Sequence, residues 1–218
     1  MVANLVRFFQ QGGIVMWPLL VFALLTATVI VERAMVLRKA KINIGDFLAK
    51  IRKALLVDRD VRGAMAICEH SRGPVASVVK AGLSRYGRPA EEIERSIEGA
   101  AAFESARLER GLLALSASAN IAPLIGFLGT VTGMIKALSA LGQAGLSSPG
   151  AIAAGIAEAL VAAAAGLLVA IPAQLGHTFL LGAVNTFLGD IEAAANTLME
   201  TVAEIDDERR RSGGASGA

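Results

Sequence analysis

Three long, apolar and almost uncharged runs constrain this 218-residue chain more than any other feature. They cover about residues 13–32, 112–138 and 152–180. An α-helix rises about 1.5 Å per residue, so roughly 20 apolar residues cross the hydrocarbon core of a bilayer. The chain as a whole is 54% hydrophobic, with a mean hydropathy of +0.57. The sequence therefore predicts an all-α integral membrane protein, with three transmembrane helices that extend into a cytoplasmic helical domain.

The distribution of positive charge predicts how these helices are oriented. Of the 21 Lys and Arg residues, 16 lie between Arg33 and Arg110, and three more lie in the last ten residues. Cytoplasmic loops of membrane proteins carry an excess of Lys and Arg. Residues 33–110 are therefore predicted to be cytoplasmic, as are residues 181–218, interpreted as a helix and a disordered tail. Residues 1–12, an amphipathic segment, and the loop 139–151 are predicted to face the opposite side.

Other classes of protein fit the sequence less well. A cleaved signal peptide is disfavoured because the first run is long and has no small-residue cleavage site before Glu32. The single cysteine, Cys68, is expected to be a small buried apolar residue. No metal-ligand spacing, nucleophile–base pair or phosphate-binding loop is present, so no enzyme, metal or cofactor is predicted. Topology already accounts for the basic region, and no nucleic-acid partner is predicted.

The cytoplasmic region is predicted to be helical throughout. Apolar residues recur with helical spacing from Phe47, and again from Val61. Residues 71–74 are predicted to break the chain before a short helix from Val75 to Tyr86, and Pro89 is predicted to follow a second break and to open a new helix. No proline follows Pro89 until Pro123, so a single helix is expected to run from the cytoplasm into the second span.

The second span is rich in small residues. Gly126, Gly129 and Gly133 lie at positions i, i+3 and i+7 and share one helix face. Small residues let helices approach closely in lipid, so these glycines are predicted to pack against another helix, as is Gly166 of the third span. Thr130 either exposes its hydroxyl on a neighbouring face or bonds back to the carbonyl four residues earlier in its own helix. Pro123 removes one helix hydrogen bond and is predicted to kink the helix.

The third span carries Glu158, the only carboxylate within the second and third runs. An ionisable residue in a membrane segment is costly and indicates a functional site by default. By the helical rise, Glu158 lies about 9 Å below Ile152. Two interpretations stay open: a carboxylate in a channel between helices, or one that points to water at the membrane surface. Pro172 is predicted to bend the inner end of this helix.

Three strings in these spans resemble a known family. APLIGFLGTVTGMI (122–135), GIAEAL (155–160) and AGLLVAIPA (165–173) are similar to the MotA/TolQ/ExbB proton-channel family, and closest to its ExbB and TolQ branch. The resemblance covers essentially the whole chain. By position, Thr130 matches the pore threonine of the family and Glu158 matches its glutamate.

The resemblance implies a homopentamer in the bacterial inner membrane, with the N-terminus in the periplasm and the second and third spans around a pore. It also implies an ExbD- or TolR-like single-span partner in that pore, and a TonB- or TolA-like protein that the complex energises. One position departs from the family pattern. Many members have a pore threonine five residues after the glutamate, and here that position is Ala163.

Three functional hypotheses follow from these residues and from the resemblance. The first is a pentameric stator subunit that converts proton motive force into mechanical work for outer-membrane transport or envelope integrity. The second, motivated by Ala163, is a structural membrane scaffold that does not conduct ions. The third is the stator of a gliding or flagellar motor. The transported ion, whether proton or sodium, stays open.

Overall fold

The structure is a computed structural model that describes residues 8–40, 42–71, 73–144 and 149–214. For residues 39, 144, 206 and 208–214 it describes the backbone and not the side chain. Parts of four predictions fall outside these ranges. They concern the first seven residues of the N-terminal segment, residues 41 and 72 of the cytoplasmic domain, residues 145–148 of the predicted loop, and the last four residues of the tail.

The described residues form α-helices and contain no β-strand. A helical stretch at residues 8–11 comes first. The longer helices that follow are, in chain order, α1 (Met16–Ala40), α2 (Ile44–Leu56), α3 (Val61–His70), α4 (Pro74–Leu83), α5 (Ala90–Glu109), α6 (Leu112–Ala144) and α7 (Pro149–Gly214). Three described stretches are long and apolar enough to cross a membrane, namely Met16–Arg38, Ala90–Gln143 and Pro149–Ile205. The prediction of an all-α membrane fold is confirmed.

The described residues divide into two compact units. The first contains the residues up to Ala34 and those from Gly111 to Leu180. The second contains Met35–Arg110 and the residues after Leu180. Helices α1 and α7 contribute to both units.

In the first unit, one face of α1 packs against α6 and α7. Leu19 and Val15, which immediately precedes α1, form a buried cluster with Ala122 of α6 and Ala170 of α7. Helix α1 is buried on this face only: Leu19 is 2% exposed whereas Leu24 is 63% exposed. The difference arises because the small residues of α6 and α7 leave room for the larger aliphatic side chains of α1.

The second unit is built from the four helices that follow α1, together with the last part of α7. A Cβ added at Gly82 of α4 would lie 2.6 Å from Leu198 Cδ2 of α7 and 2.9 Å from Ile97 Cγ1 of α5, so the three helices meet at this glycine. Cys68 of α3 is buried, and burial raises the pKa of its thiol to about 11. A thiol with that pKa is protonated at neutral pH and behaves as a small apolar residue.

The helix expected to run unbroken from Pro89 into the second span is interrupted at two residues. Helix α5 ends at Glu109, and α6 begins at Leu112. Between them Gly111 has φ of +88°, a conformation typical of the residue that follows a helix C-terminus. A Cβ at Gly111 would lie 3.1 Å from Arg33 Nε and 3.3 Å from Val29 Cγ1, so this glycine also allows α1 to approach.

The hairpin between α6 and α7 is tighter than the sequence suggested. The loop was predicted over residues 139–151, but α6 continues to Ala144 and α7 begins at Pro149. Helix α6 continues through Pro123, and α7 continues through Pro172. The helix bends expected at these two prolines stay predictions.

Candidate ion-path site

Helices α6 and α7 approach each other so closely that their backbones are in contact. A Cβ added at Gly133 of α6 would lie 2.7 Å from both Ala159 N and Gly155 O of α7. A Cβ at Gly126 would lie 3.0 Å from Ala162 O. The neighbouring atoms belong to the backbone and cannot move without moving the helix. Larger side chains would therefore force the two helices apart.

The remaining glycines of this hairpin lie in the same contact. A Cβ at Gly129 would overlap the Cβ of Ala162, and one at Gly166 would lie 2.8 Å from Ala122 O. The four glycines singled out in the sequence thus all face the partner helix. A fifth, Gly155, was missed: a Cβ there would lie 2.7 Å from Ala137 N.

Glu158 forms an ion pair with Lys136 across this hairpin. The Lys136 Nζ lies 2.6 Å from the Glu158 Oε1, a short charge-assisted hydrogen bond. The side chain of Glu158 is 17% exposed and that of Lys136 is 59% exposed. The carboxylate is therefore the shielded member of the pair, and its charge is balanced by a lysine of the same chain.

The segment before α1 covers the same carboxylate. Gly13 has φ of +70°, and a Cβ added there would overlap the Glu158 Oε1. A cleft of about 480 Å³ opens beside the pair. Its polar lining residues are Gln11, Lys136 and Glu158, and its other lining residues are Ala140, Ala151, Ala154, Gly155 and Ala157. Glu158 is thus enclosed by three parts of the first unit: the N-terminal segment, α6 and α7.

Replacing Gly13 by alanine is expected to lower stability more than the same change at Gly87. Both glycines have positive φ, and Gly87 has no atom within 4 Å of an added Cβ. Gly87→Ala should therefore lower the free energy of unfolding only by the energy of holding alanine in the left-handed conformation, about 1–2 kcal/mol. Gly13→Ala carries the same conformational cost and also displaces Glu158 from Lys136. Loss of this partly exposed ion pair lowers the free energy of unfolding by up to about 1 kcal/mol more. Thermal unfolding in mild detergent compares them, and equal melting temperatures would contradict this geometry.

The threonines of α6 bond to their own helix. The Thr130 hydroxyl donates to the Phe127 carbonyl at 2.6 Å, and the Thr132 hydroxyl donates to the Gly129 carbonyl at 3.1 Å. Thr130 therefore bonds back to its own helix, but the acceptor is the carbonyl three residues earlier and not the expected one four residues earlier. Its oxygen lone pairs stay available to accept a hydrogen bond. Ala163 is half-buried, and its Cα would lie 3.4 Å from a Cβ at Gly126.

Sequence reasoning missed Lys136 and Gly13. Lys136 precedes the end of α6 by eight residues, and Glu158 follows the start of α7 by nine. Residues at similar distances from a short loop lie at the same level in an antiparallel helix pair, so the hairpin register held a signal for this contact. No comparable signal existed for Gly13, because its contact depends on how the N-terminal segment folds back.

The described residues contain no group of three or more His, Cys, Asp or Glu side chains suited to a metal ion. What the arrangement offers instead is a carboxylate, an ammonium group and threonine hydroxyls within one helix hairpin. A carboxylate can take up and release a proton, whereas the threonine hydroxyls, which donate to their own helix, can accept a further hydrogen bond.

Fold and site together define a helical membrane protein whose tightly packed hairpin carries ionisable side chains. A model of the MotA/TolQ/ExbB proton channel family matches residues 70–193, which is more than half of the chain. The chain belongs to this family. The resemblance noted in its sequence is thereby confirmed.

Relatives with the ExbB name are similar to this chain. An ExbB-like protein 1 of Synechocystis sp. is 36% identical over 171 residues, which cover 77% of this chain and 66% of the relative. A biopolymer transport protein ExbB of Neisseria gonorrhoeae is 46% identical over 92 residues, or 42% of each chain. An ExbB-like protein 3 of Synechocystis sp. is 30% identical over 169 residues, covering 76% of this chain and 80% of the relative. The chain thus spans less than two thirds of the length of the first two.

Proposed function

We propose that this chain is the proton-conducting subunit of a pentameric stator in the bacterial inner membrane. The observation that carries the proposal is Glu158, a carboxylate with a side chain only 17% exposed inside an apolar helix hairpin. Such a group is expensive in a membrane and is retained where it handles ions or protons. Membership of a proton channel family supports the same function.

In this proposal α6 and α7 of each copy line a shared central path. Their mutual contact is made by glycines and alanines, and large apolar side chains point away from it. Leu124 and Phe127 of α6 are each 66% exposed, as is Leu160 of α7. These surfaces are available to neighbouring copies. Thr130, Glu158 and Ala163 form the proposed polar seam, and water replaces the hydroxyl that Ala163 lacks.

The proposed partners follow from the family. An ExbD- or TolR-like protein contributes a single helix with a carboxylate to the pore, and proton flow moves one component against the other. The work is delivered to a TonB- or TolA-like protein. Relatives named as biopolymer transport proteins support a role in transport. The positive-inside distribution supports a periplasmic N-terminus and a cytoplasmic C-terminus.

A non-conducting scaffold is the second candidate. Two observations favour it: Ala163 has no hydroxyl, and the charge of Glu158 is balanced by Lys136 at 2.6 Å. A scaffold needs the glycine contacts but neither Thr130 nor Glu158. The two candidates therefore predict different effects of a Glu158 substitution on function. Both predict that the chain assembles into an oligomer.

Assembly is tested by native mass spectrometry of the chain in lipid nanodiscs, alone and co-expressed with the ExbD- or TolR-like protein of the same genome. The expected result is five copies of the 22.5 kDa chain, with the partner bound when it is present. A monomer under both conditions contradicts the proposed stator.

A further inference from the structure

The contact between Lys136 and Glu158 places a positive charge directly against this carboxylate. The Lys136 ammonium lies 2.6 Å from Glu158 Oε1, and a Cβ added at Gly13 would overlap the same oxygen. An ammonium group at this distance occupies the position that a dissolved cation would take. Because the ammonium group is part of the chain, its concentration near Glu158 is fixed by the fold and does not depend on the salt concentration of the solution.

The surroundings offer few oxygen ligands for a metal ion. Hard cations are bound by about six oxygen atoms from carboxylates, carbonyls and water. Among the described residues that line the cleft, only Gln11 and Glu158 have side-chain oxygens, and the others besides Lys136 are alanine or glycine. A sodium ion at Glu158 would have to displace the ammonium and then take most of its ligands from water. A proton needs only one oxygen.

We propose that Lys136 is a specificity-determining residue that excludes sodium from Glu158 and leaves the site accessible to protons. This inference rests on the proposed function, since it names the ion that the ion-path site handles. A proton that arrives from water binds a Glu158 carboxylate oxygen, and the Lys136 ammonium keeps its own protons and turns into the open cleft. Release of the proton to water restores the pair. The 59% exposure of the lysine side chain gives it room for this movement.

Sodium binding tests the inference without requiring any ion flux. The purified full-length chain is unfolded thermally in sodium chloride and in choline chloride at equal ionic strength. For wild type, the melting temperature in sodium chloride is expected to equal that in choline chloride, and the same holds for Lys136→Arg. Each of these proteins keeps a positively charged side chain at Glu158. Lys136→Gln frees the carboxylate, and sodium is expected to raise its melting temperature by about 2–4 °C through preferential binding to the folded state.

Two controls separate this effect from general salt effects. Lys50 pairs with Asp46 at 2.8 Å on the exposed surface of α2, so Lys50→Gln removes a comparable pair elsewhere and should show no preference for sodium. The double variant Lys136→Gln/Glu158→Gln should lose the sodium effect of the single variant.

Two results would overturn the inference. One is a Lys136→Gln protein that unfolds at the same temperature in both salts. The other is sodium binding to wild type, detected by ²³Na NMR line broadening that disappears in Glu158→Gln; this second measurement holds even if Lys136→Gln does not fold. Neither the unfolding measurement nor the NMR measurement depends on ion conduction. If the proposed stator function fails but this inference holds, wild type still excludes sodium from Glu158 and shows no proton flux.

Discussion

Replacing Gly133 by alanine is expected to destabilise the protein by about 2 kcal/mol. The same replacement at Gly142, in the same helix, is expected to stabilise it by about 0.5–1 kcal/mol. The opposite signs arise from what the new methyl group meets. At Gly133 it lies 2.7 Å from backbone atoms of Ala159 and Gly155, whereas at Gly142 no atom lies within 4 Å. Gly142→Ala therefore introduces no steric clash, and its only effect is the higher helix propensity of alanine.

Thermal unfolding of both variants in the same detergent measures the difference. Gly133→Ala should melt about 4–8 °C below wild type. Gly133→Val should lower the melting temperature further and weaken assembly, because α6 then moves away from α7 and carries Lys136 away from Glu158. Equal melting temperatures for Gly133→Ala and Gly142→Ala would contradict the backbone contact between α6 and α7.

The elements that local patterns control were predictable from the sequence. Apolar runs of spanning length predicted α1, α6 and the first part of α7, because lipid demands about 20 apolar residues of a crossing helix. Helical spacing and prolines predicted α2 to α5. The break at Gly111 was missed because the prediction relied on proline as the only helix breaker, whereas a glycine with positive φ ends a helix equally well.

The chemical groups around Glu158 were only partly predictable. The sequence identified the carboxylate itself, since a lone acidic residue in an apolar run is conspicuous. Its partner Lys136 depends on the register of two helices, and its cover at Gly13 depends on a segment 145 residues earlier in the chain. The register of the hairpin held a signal for the contact with Lys136, whereas the contact with Gly13 is set by tertiary packing that no local pattern encodes.

Replacing Glu158 by glutamine is expected to reduce proton flux by about 10²-fold or more, as when a positioned proton-transfer group is lost. The amide keeps the size of the side chain but does not take up a proton at neutral pH. Assembly should persist, because the exposed apolar side chains proposed to meet neighbouring copies do not include Glu158. The scaffold hypothesis expects no change in function from the same substitution.

Two controls make the comparison specific. Glu204 lies further along α7 and pairs with Arg52 at 3.1 Å, so Glu204→Gln removes a paired carboxylate of the same helix outside the proposed path. Its flux should equal that of wild type. The exchange Lys136→Glu/Glu158→Lys keeps an ion pair but moves the carboxylate to α6. It should assemble normally and conduct poorly if the position on α7 matters.

The most direct measurement is the initial rate of proton uptake into vesicles that contain the chain with its ExbD- or TolR-like partner. A pH-sensitive dye reports the rate under an imposed membrane potential. Wild type is expected to take up protons and Glu158→Gln to fall to the rate of empty vesicles, with both proteins present at equal density. Equal rates for wild type and Glu158→Gln would contradict a proton path through the α6–α7 hairpin.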